Sequence, residues 1–354
     1  MSGDPSRCLR GSAPDSEPPV DRAQRGTVFV ALLVTVLVAG SHDFPVSWAG
    51  VGAGAAAAQG VEALADACAN GVPERLETCR DAAVAARELH GGFGLAVSGG
   101  SLLGGSGSTL GHRVEGRPRL SLDMGGNVAR TRHPDVLRSD GNPAPATRRH
   151  TPSLGGGVTV GVFDGFALLP TVGGVLAVDL VARGAVVSLP RERGFSSSLA
   201  VYGAGVRVGL LRESFTLPGI TFSAAHQRMS SVRFGSLLAG DPARVDLEPR
   251  ATSLRLVAEK DVLTVGMLGG VGWERVHGPV TARVGDPNAA GGRVDRLRSS
   301  RPMAFAGANL TYLVLRVSAE AGWAPRHGRV SEWGERPFEP GSGWFGTLGI
   351  RVTY

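Results

Sequence analysis

Lysine, cysteine and long hydrophobic runs are all scarce in this sequence. Lys260 is the only lysine although lysine and arginine together number 37, and the formal net charge is +6. The arginines are scattered and form no stripe with interleaved aromatics, so the charge does not indicate a nucleic-acid-binding surface. The 53 glycines follow no Gly-X-Y period, which excludes collagen. With 42% hydrophobic residues, the chain can still bury a core.

One apolar run stands out, at residues 28–39. It follows Arg22 and Arg25 and precedes a tract of small residues at 53–59. A basic flank, a short apolar segment and a small-residue site are typical of a secretory signal peptide. The alternative is a membrane anchor, but the run is shorter than the roughly 20 residues that a spanning helix needs. We predict that residues 1–58 are a leader that is removed on export, with cleavage after one of residues 56–58.

The rest of the chain alternates between apolar and polar or glycine residues with period two, which indicates β-strands. Several of these segments run for about nine to eleven residues, the length of a strand that crosses a bilayer. The ten segments are 119–128, 157–163, 172–180, 199–210, 220–228, 253–260, 264–274, 303–312, 313–323 and 347–354. Alternation alone fits both a membrane barrel and a soluble β-sandwich.

The C-terminal segment favours the membrane barrel. Leu348, Ile350, Val352 and Tyr354 alternate with polar or glycine residues, and the chain ends on the aromatic. This pattern resembles the terminal strand of bacterial outer-membrane proteins, which the barrel-assembly machinery recognises. Together with the signal peptide, the resemblance implies a location in the outer membrane of a Gram-negative bacterium. It also implies that outer-membrane lipid and the assembly machinery are partners.

The spacing of aromatics and connections supports the same interpretation. The strand ends carry Trp273, Trp323, Trp344, Tyr202, Tyr312 and Tyr354, as expected for rings at membrane interfaces. Connections alternate between short ones and long ones at 130–152, 183–198, 229–251, 276–301 and 324–343. We therefore predict an all-β fold, an antiparallel transmembrane β-barrel of about 10–12 strands within residues 93–354. The runner-up is a secreted soluble β-sandwich.

A short helical segment precedes the barrel. Residues 61–90 have helical composition interrupted at 70–73, so two helices that meet at a turn would bring Cys68 and Cys79 together. Export would place both cysteines in an oxidising compartment, where we expect a disulfide rather than two unpaired core thiols. We predict that residues 59–92 form this disulfide-linked segment, which is periplasmic or a plug. Segment 93–98 and its glycine-rich tail supply two more strands or join the plug.

The predicted inward faces of the strands carry charges of both signs. Charged side chains are tolerated in a lumen, whereas each would cost about 2–4 kcal/mol on the lipid face at the midplane. They form either internal salt bridges that brace the barrel or a selectivity ring. The residues are Asp123, Asp179, Arg207, Arg255, Glu274, Arg316, Glu320 and Arg351.

Nothing in the sequence indicates catalysis. It contains no G-x-S-x-G, H-E-x-x-H or Walker-type run. Most histidines fall in predicted loops, and His226 lies within a predicted strand on the face expected to meet lipid. We predict a protein that is not an enzyme, with no catalytic, cofactor-binding or metal-binding residues.

Two classes of function remain. The segment ahead of the first strand resembles the hatch of outer-membrane transporters for hydrophobic substrates. This resemblance implies a porin-like or transport barrel for small or apolar solutes. The alternative is a structural or adhesive barrel with a closed lumen, which acts through its long outer loops. Channel conductance in a planar bilayer separates the two.

Overall fold

The computed structural model describes residues 52–98, 118–135, 137, 146–166, 175–189, 191, 194–288, 291–325 and 342–354. By its contacts the chain divides into Met1–Trp48 and Ala49–Tyr354, and the described residues all belong to the second unit. The predicted apolar run at 28–39 lies outside them. Neither helix within the described part is long and apolar enough to cross a bilayer.

Two helices joined by a tight turn open the described chain. Helix α1 spans Gly52–Ala69 and α2 spans Pro73–Ser98, so the predicted cleavage positions 56–58 lie in the first turns of α1. Asn70 and Gly71 adopt left-handed backbone conformations that end α1, and Pro73 starts α2, where its missing N–H leaves no bond unmade. The turn brings the two cysteines together, and the predicted disulfide joins Cys68 to Cys79 with a Cα–Cα distance of 5.7 Å.

Ten antiparallel strands close into a barrel, as the alternation predicts. Each strand pairs with its neighbour in the chain except where an excursion intervenes between β5 and β8, and β1 pairs with β12 to complete the ring. The ring consists of β1 Leu120–Pro134, β2 Ala146–Phe163, β3 Ala177–Val187, β4 Leu199–Leu211, β5 Gly219–Met229, β8 Arg250–Val262, β9 Val265–Val284, β10 Gly292–Tyr312, β11 Leu315–Ala324 and β12 Gly343–Thr353.

Two further strands lie outside the ring. Strand β7, Ala243–Leu247, pairs with the upper part of β9 beyond the end of β8, and β6, Val232–Phe234, pairs with β7. A short 3-10 helix at Leu237–Ala239 connects them. Much of the connection predicted at 276–301 is also strand, because β9 and β10 stay paired from 265/310 up to 282/292. The barrel wall is therefore extended at the end opposite the tight turns around Leu263 and Leu313.

The two faces of the wall exchange character along β9. Below Glu274 the outward residues are apolar, and Val265, Met267 and Val271 are exposed. Above Glu274 the inward residues Val276, Val280 and Ala282 are buried and apolar. The same strand thus has the polarity of a membrane barrel in its lower half and of a soluble barrel in its upper half. The connection was predicted as a loop because this exchange interrupts the alternation.

Candidate functional site

Helix α2 runs into the barrel and its C-terminal end is held by the strands around it. The Asn127 side-chain amide on β1 donates hydrogen bonds to the carbonyl oxygens of Leu95 and Ala96, at 2.9 and 2.8 Å. On β2 the Ser153 hydroxyl donates to Ala96 at 2.6 Å. The last carbonyls of a helix have no partner within it, so these side chains satisfy groups that would otherwise be buried unpaired.

On β9, across the lumen from β1, the same helix end meets a carboxylate. Ser98 hydrogen-bonds Glu274, and Arg301 on β10 lies 3.8 Å from the other carboxylate oxygen. Glu274 is 1% exposed. Its carboxylate contacts Ser98 of the plug on one side and Arg301 of the wall on the other. A Cβ at Gly94 would collide with Glu274 and Val276, which shows how closely α2 approaches this wall.

Apolar packing surrounds the upper half of α2. Phe93 and Leu95 are fully buried, and the Phe93 ring lies 6.3 Å from that of Phe195 in the loop before β4. Phe195 in turn lies 4.9 Å from Phe234 on β6. Nearly every described residue from Ala82 to Ser98 is buried, on all sides of the helix. A helix enclosed on all sides within a barrel closes the lumen at its level.

His90 lies in this dry interface between α2 and the upper wall. It is completely buried. Burial lowers its pKa to about 3, with a further lowering by His277 and an opposing effect of the Leu297 backbone. The imidazole is therefore neutral in the plugged barrel at ordinary pH.

A second layer of polar contacts fills the lumen below the helix. Arg207 on β4 binds Asp179 on β3 through both Nε, at 3.1 Å, and Nη2, at 2.5 Å. Arg255 on β8 binds Glu320 on β11 at 3.0 Å, with both side chains only 2% exposed. The Arg255 guanidinium also lies 4.2 Å from the centre of the Phe305 ring. Because β8 and β11 are not neighbours in the sheet, the Arg255–Glu320 pair bridges the lumen.

Arg316 makes another bridge in the same layer. It pairs with Glu259 and, at 3.3 Å, with Asp261, and Asn309 donates to Glu259 at 2.7 Å. Asp123 and Arg351 face each other in the pairing of β1 with β12. Seven of the eight predicted inward charges therefore pair with or face a charge of opposite sign in the lumen, and the eighth, Glu274, contacts the plug. Glu259, Asp261 and Arg301 were not among the predicted inward charges. Glu259 and Asp261 have the same parity as Arg255 on β8, and Arg301 has the same parity as the buried Met303 and Phe305 on β10.

Aromatic side chains lie on the outer face near both ends of the apolar part of the wall. Trp323 and Trp344 lie side by side on the outer face with ring centroids 6.3 Å apart, at the level where the wall changes polarity. Tyr312 and Tyr354 are exposed at the opposite end. Ten residues separate Leu263, in the tight turn, from Trp273, which is about 25 Å of height at a strand tilt near 40°. That height matches the apolar band of an outer-membrane barrel.

The protein is an outer-membrane β-barrel. In barrels of this kind the tight turns lie at the periplasmic end and the long connections at the extracellular end, so we expect the extended wall to lie outside the cell. On the outer face of β12, Leu348, Ile350 and Tyr354 are exposed and Val352 is half-buried, beside β1 where the ring closes. Recognition of these residues by the assembly machinery stays a prediction. Among the described residues no group of three or more His, Cys, Asp or Glu is placed to hold a metal ion.

Comparison with known proteins gives likeness of fold only. No protein-family model matches the chain, and no curated protein matches its sequence. Among solved structures, the translocator domain of the autotransporter NalP from Neisseria meningitidis is 14% identical, over 77% of this chain and 97% of that one, with a TM-score of 0.38. The outer-membrane protease OmpT from Escherichia coli is 10% identical, over 70% of this chain and 100% of that one, with a TM-score of 0.39. Such low values give no basis for transferring an activity.

Proposed function

We propose that the protein is an outer-membrane barrel whose own N-terminal helices close its lumen in the resting state. It then acts through the extracellular wall and the α1–α2 turn that it presents at the cell surface, as a structural or adhesive barrel. The observation that supports this is the complete burial of the C-terminal half of α2, with its last carbonyls capped by Asn127 and Ser153. The salt bridges below the helix form a second closure.

Transport of small or apolar solutes stays a prediction for a different state. In that state α2 would have to leave the lumen, and the hydrogen bonds to Asn127, Ser153 and Glu274 would have to break together. Each neutral hydrogen bond contributes about 0.5–1.5 kcal/mol, and leaving buried partners unpaired costs more. The resting barrel is therefore expected to open rarely.

Conductance of the refolded full-length mature protein in planar bilayers tests this proposal. We expect only rare channel openings from the wild type at neutral pH. The double variant Asn127→Ala with Ser153→Ala should open about tenfold more often, because it removes the caps on the helix end. A matched variant on the opposite face of β1, Val128→Ala, should open as rarely as the wild type. Frequent steps from folded wild-type protein would show an open pore and overturn the proposal.

A further inference from the structure

A row of basic side chains crosses the outer face of the extracellular wall. Arg228 on β5 lies opposite Arg250 on β8, Arg250 opposite His277 on β9, and His277 opposite Arg298 on β10. Directly paired residues on antiparallel strands have side chains on the same face, about 4.5–5.5 Å apart at Cβ. Four adjacent strands thus present basic groups side by side in one row on the outer face.

This arrangement is unfavourable for the protein alone. Like charges in directly opposite positions destabilise a sheet. Arg228, Arg250 and Arg298 form no ion pair with any residue that the structure describes, and the next carboxylate along β8 and its upstream connection is Glu248, two residues above Arg250. Higher on the same wall, a carboxylate neutralises the neighbouring arginines. Arg233, Arg244 and Arg283 all pair with Asp246, at 3.0–3.1 Å.

Burial and the positive charges of the row both lower the pKa of its histidine, His277. His277 lies above the membrane-spanning part of β9, and burial lowers its pKa to about 4, with further lowering by Arg275, His226, Arg250 and Arg298. The arginines that contribute to this effect come from three strands, β8, β9 and β10. An anion among them would relieve their mutual repulsion.

The height of the row identifies the source of that anion. Trp273 pairs with Leu254 and Pro302, so these residues form the level at which the apolar band ends. His277 lies four residues further up β9, about 13 Å along the strand and about 10 Å in height. The polar headgroup region lies directly outside the hydrocarbon core of a bilayer. The row is therefore level with the headgroups of the outer leaflet.

We propose that Arg228, Arg250 and Arg298 form a binding site for the phosphate groups of an outer-leaflet lipid. Guanidinium groups bind phosphate oxygens through paired, charge-assisted hydrogen bonds. The acyl chains of the same lipid would lie against Leu254 and Trp273, immediately below the row. Free phosphate lacks these apolar contacts and is expected to bind far more weakly.

Native mass spectrometry of the folded full-length mature protein in a non-ionic detergent tests the site. The probes are diphosphorylated lipid A, the same glycolipid with both phosphates removed, and inorganic phosphate. We expect the wild type to bind the diphosphorylated lipid at least about tenfold more tightly than the dephosphorylated one. The triple variant R228Q/R250Q/R298Q should lose that preference. The control R233Q/R244Q/R283Q removes the same charge from the Asp246 cluster and should keep the preference within about twofold.

Three results would overturn the proposal. The first is an unchanged lipid preference in the triple variant, and the second is an equal loss in the control, which would indicate attraction by net charge alone. The third is competition by millimolar inorganic phosphate that displaces the lipid, which would indicate a site for the free ion. If the triple variant fails the heat-dependent gel shift of a folded barrel, the single variant R250Q at the centre of the row is measured against R244Q in the same way.

Discussion

At the scale of single residues, contact between the helices and the wall depends on glycine. The backbone of α1 at Ala67 and Cys68 lies directly on Gly292 of β10, and a Cβ there would collide with it. The change Gly292→Val should therefore displace α1 at a cost of about 1–3 kcal/mol, which is typical of overpacking. Limited proteolysis of the folded protein should cut within α1 more rapidly, while the barrel itself remains resistant.

Gly346→Val on β12 is the matched control for this prediction. Gly346 is exposed on the outer face and a Cβ there meets no atom within 4 Å. Its cleavage pattern should equal that of the wild type. If α1 in the Gly292→Val variant is cleaved as slowly as in the wild type, the prediction that α1 packs closely on β10 is wrong.

Glycine also explains why the sequence alone did not decide whether segment 93–98 forms strands or part of the plug. Gly91, Gly92 and Gly94 weaken a helix by about 1 kcal/mol each relative to alanine, so the segment they interrupt has a poor helical pattern. In the fold, side chains at these positions would meet Arg301, Thr131 and Glu274 of the wall. These partners are distant in sequence, so no local pattern reveals why glycine is required.

At the scale of elements, the strands could be predicted where each face keeps the same environment along the whole segment. Each of the ten alternating segments overlaps one strand of the ring, because lipid outside and polar groups inside impose period two. The upper parts of β9 and β10 were missed because α1 and α2 supply an apolar interior there and water contacts the outer face. Continuing the parity of Trp273 through Arg275 and His277 would have shown that the strand goes on with its polarity exchanged.

The disulfide stabilises one element, the helical hairpin. Cys68 and Cys79 close a loop with a sequence separation of 11. The chain-entropy model assigns about 3 kcal/mol to a loop of this size. The variant Cys68→Ala with Cys79→Ala should therefore exchange amide hydrogens faster in α1 and in the first turns of α2, as measured by hydrogen–deuterium exchange.

The barrel provides the internal reference for this experiment. Amides in β4 and β5 pair with each other far from the disulfide, and their exchange should not change. Wild-type protein treated with a reductant should reproduce the variant. Equal acceleration in the strands would mean that the disulfide stabilises the whole molecule rather than the hairpin.

At the scale of the whole molecule, the face of each lumen charge follows from parity, but its partner does not. Asp179 and Arg207 lie opposite each other on neighbouring strands, a pairing that needs only the register of β3 with β4. Arg255 reaches Glu320 across the lumen, and this depends on the number of strands and the width of the closed ring. Closure by α2 also depends on that width, so the open or closed state of the lumen lay beyond the sequence.

Coupling between the plug and the barrel predicts a pH dependence of opening through His90. Its pKa is about 3 when α2 is docked and returns toward 6.5 when the helix leaves the lumen. Docking therefore keeps its full stability above pH 6.5 and loses stability as the pH falls from 6.5 toward 3, by up to about tenfold per pH unit. In planar bilayers the frequency of channel openings should rise up to about a hundredfold between pH 6.5 and pH 4.5. The variant His90→Gln keeps a polar side chain but does not titrate, so its openings should rise much less over this range. An equal rise in both proteins would assign the effect to other groups and remove His90 from the mechanism of opening.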